Sequence, residues 1–168
     1  MLGFHKYIES FADGLQVLRY NMTTAYIPHM DYIDDNHKQE EHNYDAPSLG
    51  TNRFATILLY MSDLEVEDGG ETVFAHATPL GLTEDQMLSE AEALNQLRES
   101  GDVKDLLEKG SWQEKMVARC RSRLSVQPKS AKAVLFYSQH PDGRQDLSSL
   151  HGGCPVINGL HLLGRCNS

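Results

Sequence analysis

Cysteine is scarce in this chain, positive charge is outnumbered, and long apolar runs are missing. The three cysteines, Cys120, Cys154 and Cys166, show no Cys-x-x-Cys spacing and no local zinc pattern. Neither a zinc finger nor a disulfide framework is therefore expected. Lysine and arginine number 15 against 24 aspartates and glutamates, a net charge of −9. That balance disfavours nonspecific binding to nucleic acid or to anionic membranes, both of which draw on basic patches. No apolar run of about 18 residues occurs, so no transmembrane helix is expected. The first residues, Met1 to Lys6, lack the apolar core of a signal peptide.

What is present is ordinary for a globular protein. The hydrophobic fraction is 40% and the charged fraction 23%. A chain of 168 residues suits one domain with a sizeable core. Phe4, Tyr7, Ile8 and Phe11 recur at helical spacing and predict a short N-terminal helix, ended by Asp13-Gly14. Leu15 to Ile27 has strand composition, with Asn21 as a break into two segments. Residues 34–50 read as a long polar loop holding His37 and His42, both expected to be solvated. Phe54 to Met61 is almost continuously apolar and short, as for a strand buried on both faces. Asp63 to Glu71 is an acidic loop closed by Gly69-Gly70, and Glu71 to Phe74 resumes a strand.

A helical insertion follows, at about 80–118 or, by its helices, 83–121. Thr83-x-x-Gln86 is a capping-box pattern, with Met87, Ala91 and Leu94 at helical spacing behind it. Val103, Leu106 and Leu107 predict a second short helix closed by Gly110. Ser111-x-x-Glu114 is a second capping box, followed by Met116, Val117 and Cys120. Strand patterns return at Leu124 to Gln127 and Ala133 to Tyr137, and Asp142-Gly143 marks a turn. Many short strands, glycine-rich turns and one helical excursion imply a mainly β, double-sheet architecture of the jelly-roll type.

One stretch carries chemistry. In Tyr26-Ile27-Pro28-His29-Met30-Asp31-Tyr32, an extended backbone would point His29 and Asp31 to the same face. Pro28 donates no backbone hydrogen bond and fits a strand start or an edge. Two histidines and one carboxylate on one side of a metal leave the other positions open, the arrangement of non-haem Fe(II) oxygenases. A third ligand must come from elsewhere, and His151 stands late in the chain beside strand-like sequence.

With that order of ligands the chain resembles the 2-oxoglutarate and Fe(II)-dependent dioxygenases, in particular the prolyl 4-hydroxylase-like branch. The resemblance runs from residue 15 to 159. It is carried by Leu18-Arg19-Tyr20, Tyr26-x-Pro28-His29-x-Asp31, Asn52-Arg53-Phe54-Ala55-Thr56, Gly69-Gly70-Glu71-Thr72-Val73-Phe74, Val126-x-Pro128 and His151-x-Gly153-Cys154-Pro155-Val156-x-x-Gly159. It implies a double-stranded β-helix with His29, Asp31 and His151 as iron ligands. It implies 2-oxoglutarate as cosubstrate, its far carboxylate taken by the hydroxyls of Tyr20 and Thr72. It further implies O2, ascorbate, a proline-containing peptide or protein hydroxylated as 2-oxoglutarate becomes succinate, and Arg53 near the peptide groove. Relatives often work in the endoplasmic reticulum or secretory pathway.

The pattern departs at the end. Ten positions after His151, where the resemblance implies a lysine against the far carboxylate, stands His161. A neutral imidazole offers one donor and no charge, but an anion beside it would raise its pKa, so His161 is expected to stand in part for the lysine and to bind 2-oxoglutarate weakly. Arg165 follows at a spacing that does not match the lysine, and the tryptophans of the family tail are absent. The single catalytic domain, 1–168, is thus expected to be incomplete at both ends. The alternative function is a jelly-roll module that keeps the metal triad for binding or assembly without turnover. A zinc hydrolase is a weaker reading, because no motif supplies its general base.

Overall fold

The computed structural model describes residues 12–33, 52–101, 103 and 105–167. The expected N-terminal helix and the loop histidines His37 and His42 lie outside these residues. Among the described residues, eight strands form two four-stranded antiparallel sheets. They are β1 (Gln16–Tyr20), β2 (Tyr26–His29), β3 (Ala55–Tyr60), β4 (Thr72–Phe74), β5 (Leu124–Val126), β6 (Ala133–Tyr137), β7 (His151–Gly153) and β8 (His161–Asn167). One sheet has the order β1-β8-β3-β6 and the other β2-β7-β4-β5. Consecutive strands alternate between the sheets except β4 and β5, which pair in one sheet across the helical insertion, in keeping with a jelly roll.

The alternation of side chains sets the layers. On β4, Thr72 and Phe74 face the space between the sheets, while Val73 turns outward and packs with Met116, Cys120 and Cys154. Between the sheets, Leu58, Tyr60 and Leu163 are buried with Leu18, Tyr20 and Phe136 packed against them. On β3, Ala55, Leu58 and Tyr60 are buried, but Ile57 and Leu59 are 41% and 37% exposed. This strand is therefore covered on one face, not two.

Two helices, α1 (Glu90–Ser100) and α2 (Trp112–Ser122), lie between β4 and β5 in the chain. The expected helix start at Thr83 is a correction. Its capping box closes only a single 3-10 turn, Glu84–Gln86. The helix begins after Ser89, whose Oγ accepts from Glu92 N at 3.2 Å while Glu92 accepts from Ser89 N at 2.9 Å. Such a cap contributes about 1 kcal/mol, and the sequence holds two candidates six residues apart. The short helix expected around Val103 is instead a turn, with Leu106 N and Leu107 N both donating to Val103 O. Leu97, Val103, Leu107, Val117 and Ile157 form the core beneath it. Arg98 grips Glu114 with two bonds of 2.9 Å and joins α1 to α2.

The expectation of no disulfide also fails. Cys120 of α2 is bonded to Cys154, 34 positions away in sequence. Local spacing could not reveal it, since only the packing of α2 on β4 and β7 brings the two thiols together. Cys166 is free.

Candidate metal centre

The site lies at one end of the space between the sheets. β2 and β7 pair there, with His29 opposite His151. β2 is an edge strand, and its pairing with β7 shifts register between Tyr26 and His29, an irregularity that accommodates Pro28. Asp31 is not in the strand. The strand ends at His29, and a bend carries Asp31 inward to full burial of its side chain. The shared face expected from strand alternation is thus reached by leaving the strand. Gly152, between His151 and Gly153, makes the close approach possible: a Cβ there would meet Tyr26 O at 2.8 Å and Pro28 N at 3.0 Å.

His29, Asp31 and His151 each present a ligand atom within 4.8 Å of the others. His29 Nε2 is 3.6 Å from Asp31 Oδ1, and His151 Nε2 is 3.7 Å from Asp31 Oδ2. Bonds of about 2.1 Å at right angles place ligand atoms about 3 Å apart, so small shifts suffice to close on a metal. Both rings have Nδ1 against a backbone carbonyl, His29 on Ile27 O at 3.0 Å and His151 on Ser149 O at 2.9 Å. This holds the proton on Nδ1 and leaves the Nε2 lone pairs facing the carboxylate, the orientation that metal-bound histidines take. His29 Nε2 is buried and has no hydrogen-bond partner. An orphaned ring nitrogen beside a buried carboxylate is what a metal ion would satisfy. The donor set fits iron.

Electrostatics point the same way. Burial pushes both His29 and His151 below the ordinary imidazole pKa, the neighbouring Asp31 opposing. The rings are therefore neutral at pH 7, the form that binds metal. Phe136 and Phe74 pack on His151, with ring centroids 4.6 and 6.1 Å away, and Tyr26 meets His29 edge-on at 4.4 Å. Asp31 receives Thr56 Oγ1 at 2.6 Å on Oδ2 and the Arg165 guanidinium on Oδ1.

A cavity of about 120 Å³ opens from the triad between the sheets. Its far end holds Tyr20, Thr72 and His161. His161 is buried, stacks on Tyr20 at 5.7 Å, and has Nδ1 3.2 Å from Ser62 Oγ. Burial lowers its pKa to about 4, so it carries no charge at pH 7. Tyr60 donates its hydroxyl to Thr72 Oγ1 at 2.8 Å, which leaves the threonine proton free for a ligand. Burial pushes the Tyr60 hydroxyl up to about 12, with the Thr72 bond opposing and the Glu71 carboxylate adding to the rise.

Comparison with known proteins accounts for this arrangement. The sequence model of the 2OG-Fe(II) oxygenase superfamily matches residues 15–165. The chain belongs to that superfamily. It is 37% identical over 147 residues to probable prolyl 4-hydroxylase 8 of Arabidopsis thaliana, covering 88% of this chain and 38% of that protein. It is 40% identical over 147 residues to probable prolyl 4-hydroxylase 10 of the same plant, with the same coverage. The chain thus spans about two fifths of the length of these curated relatives. Its fold is similar to that of a viral collagen prolyl hydroxylase from Paramecium bursaria Chlorella virus-1 in a 2OG complex. The TM-score is 0.52 at 18% identity, over 93% of this chain and 57% of that one.

Within this oxygenase domain five of the seven residues singled out from sequence, Tyr20, His29, Thr72, His151 and His161, line one cavity, and Asp31 lies buried behind the two metal-site histidines. Arg53 stands apart, just before β3, half-exposed and 3.3 Å from Asp13 Oδ2. It is close enough for its charge to depress the His29 pKa, behind burial and the Arg165 charge. Sequence reading missed the supporting residues. Tyr60 was taken as plain core, and Arg165 was set aside on spacing. The signal for Arg165 was the period-two run His161, Leu163, Arg165 on β8, all of which line the cavity.

Proposed function

We propose that this domain is the catalytic unit of an Fe(II)- and 2-oxoglutarate-dependent dioxygenase that hydroxylates prolyl residues in a peptide or protein. The convergence of His29, Asp31 and His151, with both imidazoles held neutral and Nε2 turned inward, carries the reading. These three would hold the iron. Bound there, iron supplies the O2 chemistry that couples decarboxylation of 2-oxoglutarate to hydroxylation of a C–H bond. The chain's own residues do the rest. Ser149 O and Ile27 O orient the two rings, Phe74 and Phe136 exclude water around His151, and Thr56 fixes the carboxylate. Tyr20, Thr72 and His161 are assigned to the cosubstrate, and Arg53 to the mouth where a peptide would lie. Ascorbate would keep the iron reduced.

The test is succinate release on adding Fe(II), ascorbate, 2-oxoglutarate and a proline-rich peptide. Release that disappears in Asp31→Ala supports the assignment. The uncharged His161 favours a second reading, a module that keeps the metal without turnover. Tight metal binding with no succinate under any peptide would establish it.

A further inference from the structure

The cavity beside the triad has an uneven distribution of charge. Among the described residues that line it, Arg165 is the only one with a permanent positive charge. Arg165 sits at the metal end, where it donates to Asp31 and, through Nε at 3.1 Å, to Asn167 Oδ1. A guanidinium has five N–H donors, and these contacts occupy two of them. His161 is four residues away on the same face of β8, or about 13 Å along the strand. That end is made of the Tyr20 ring, the Thr72 hydroxyl, the buried imidazole and the apolar side chains of Leu58 and Leu163. Arg165 reaches that end only as a field, lowering the Tyr20 pKa behind the larger effects of burial and Tyr26, while the Glu71 carboxylate raises that of Tyr60. A second carboxylate placed at that end would leave water for hydroxyls and an uncharged ring, with no cation to receive it.

Resting on the oxygenase reading above, we propose that this pocket recognises a 2-oxo acid through a single carboxylate, at the end shared by the triad and Arg165, and takes an uncharged tail at the His161 end. The ligand class is the 2-oxo monocarboxylic acids with aliphatic tails, bound as well as the dicarboxylic 2-oxoglutarate. His161 is the specificity-determining residue.

Calorimetry on the whole chain tests this without turnover. Mn(II) is titrated first, then 2-oxoglutarate and 4-methyl-2-oxopentanoate into the Mn(II)-loaded protein. The expected dissociation constants for the two acids lie within about threefold of each other. His161→Lys should tighten 2-oxoglutarate by about ten- to a hundredfold, the effect of one charge-assisted hydrogen bond, without tightening the monocarboxylate. His161→Gln, which keeps the position neutral, should leave the ratio unchanged and decides the matter if the lysine variant does not fold. A tenfold or greater preference of the parent chain for 2-oxoglutarate overturns the inference and leaves the oxygenase reading standing. Mn(II) binding followed by no uptake of either acid overturns the inference and favours the second reading, a module that keeps the metal without turnover. Failure to bind Mn(II) removes the oxygenase reading and this inference together.

Discussion

Arg165 of the last strand donates to Oδ1 of Asp31, whose side chain has no solvent exposure, across 134 positions of the chain. The pair ties one sheet to the bend that follows β2 and compensates a buried negative charge in the absence of metal. Removing one partner of a buried pair costs about 3–5 kcal/mol, because the other charge is left uncompensated. Arg165→Met should therefore lower stability by about that much when EDTA is present. Added Mn(II) supplies the missing positive charge, so it should stabilise the variant more than the parent. Urea unfolding with and without metal reads both effects, and equal stability of the two proteins in EDTA would show that the pair does not hold the bend.

Gly152 permits the approach of β2 to β7 on which the His29–His151 pairing depends. A methyl group there would have to displace Tyr26 O and Pro28 N, both backbone atoms, and the tip of Met116. Overpacking of this kind costs about 1–3 kcal/mol, and the yielding element is the edge strand β2. Gly152→Ala should leave the far-ultraviolet circular dichroism nearly intact while weakening Mn(II) binding at least tenfold. Retained metal affinity in a folded variant would place the cost elsewhere.

The legible and illegible parts of this protein divide along physical lines. The triad was readable because each ligand stands beside a short strand-like segment, and those segments recur in the family's order. Asp31 was expected on a strand, but the strand stops at His29; a bend is not encoded in residue alternation. The position of α1 was misplaced by six residues because Thr83 and Ser89 both offer a capping box, and packing of Ala93 and Leu97 chose the second. Arg165 was judged by its distance from His151, whereas what matters is the face of β8. Register against β1 and β3 turns residues 161, 163, 165 and 167 inward. The Cys120–Cys154 bond had no local signature at all.

That bond closes a loop of 34 residues that runs from the last turn of α2 through β5, β6 and β7. Chain-entropy arguments assign such a loop about 4 kcal/mol of stabilisation. Disulfides of this kind persist in oxidising surroundings. Cys120→Ala combined with Cys154→Ala should lower the unfolding free energy by about 2–4 kcal/mol. Denatured, unreduced protein treated with a thiol reagent should show one reactive cysteine, Cys166, and three after reduction. Three reactive thiols without reduction would mean the bond does not form.

The buried histidines make stability depend on pH in a defined window. An unfolded histidine takes up its proton near pH 6.5. His161 does so in the folded chain only near about 4, because burial opposes its charge, and His29 and His151 are shifted in the same direction. Between those values the unfolded chain binds protons that the folded chain does not. Stability therefore rises with pH across the window, is fully present above about 6.5 and is lost as the pH falls toward 4. Carboxylates also titrate in the lower part of this range, so the parent curve alone is ambiguous. His161→Gln removes one contributor and leaves the carboxylates in place. In EDTA, its melting temperature should fall less steeply than the parent's between pH 6.5 and 4. Parallel curves for the two proteins would mean that His161 is solvated or already paired in the folded state, and that the far end of the cavity is less dry than the structure makes it.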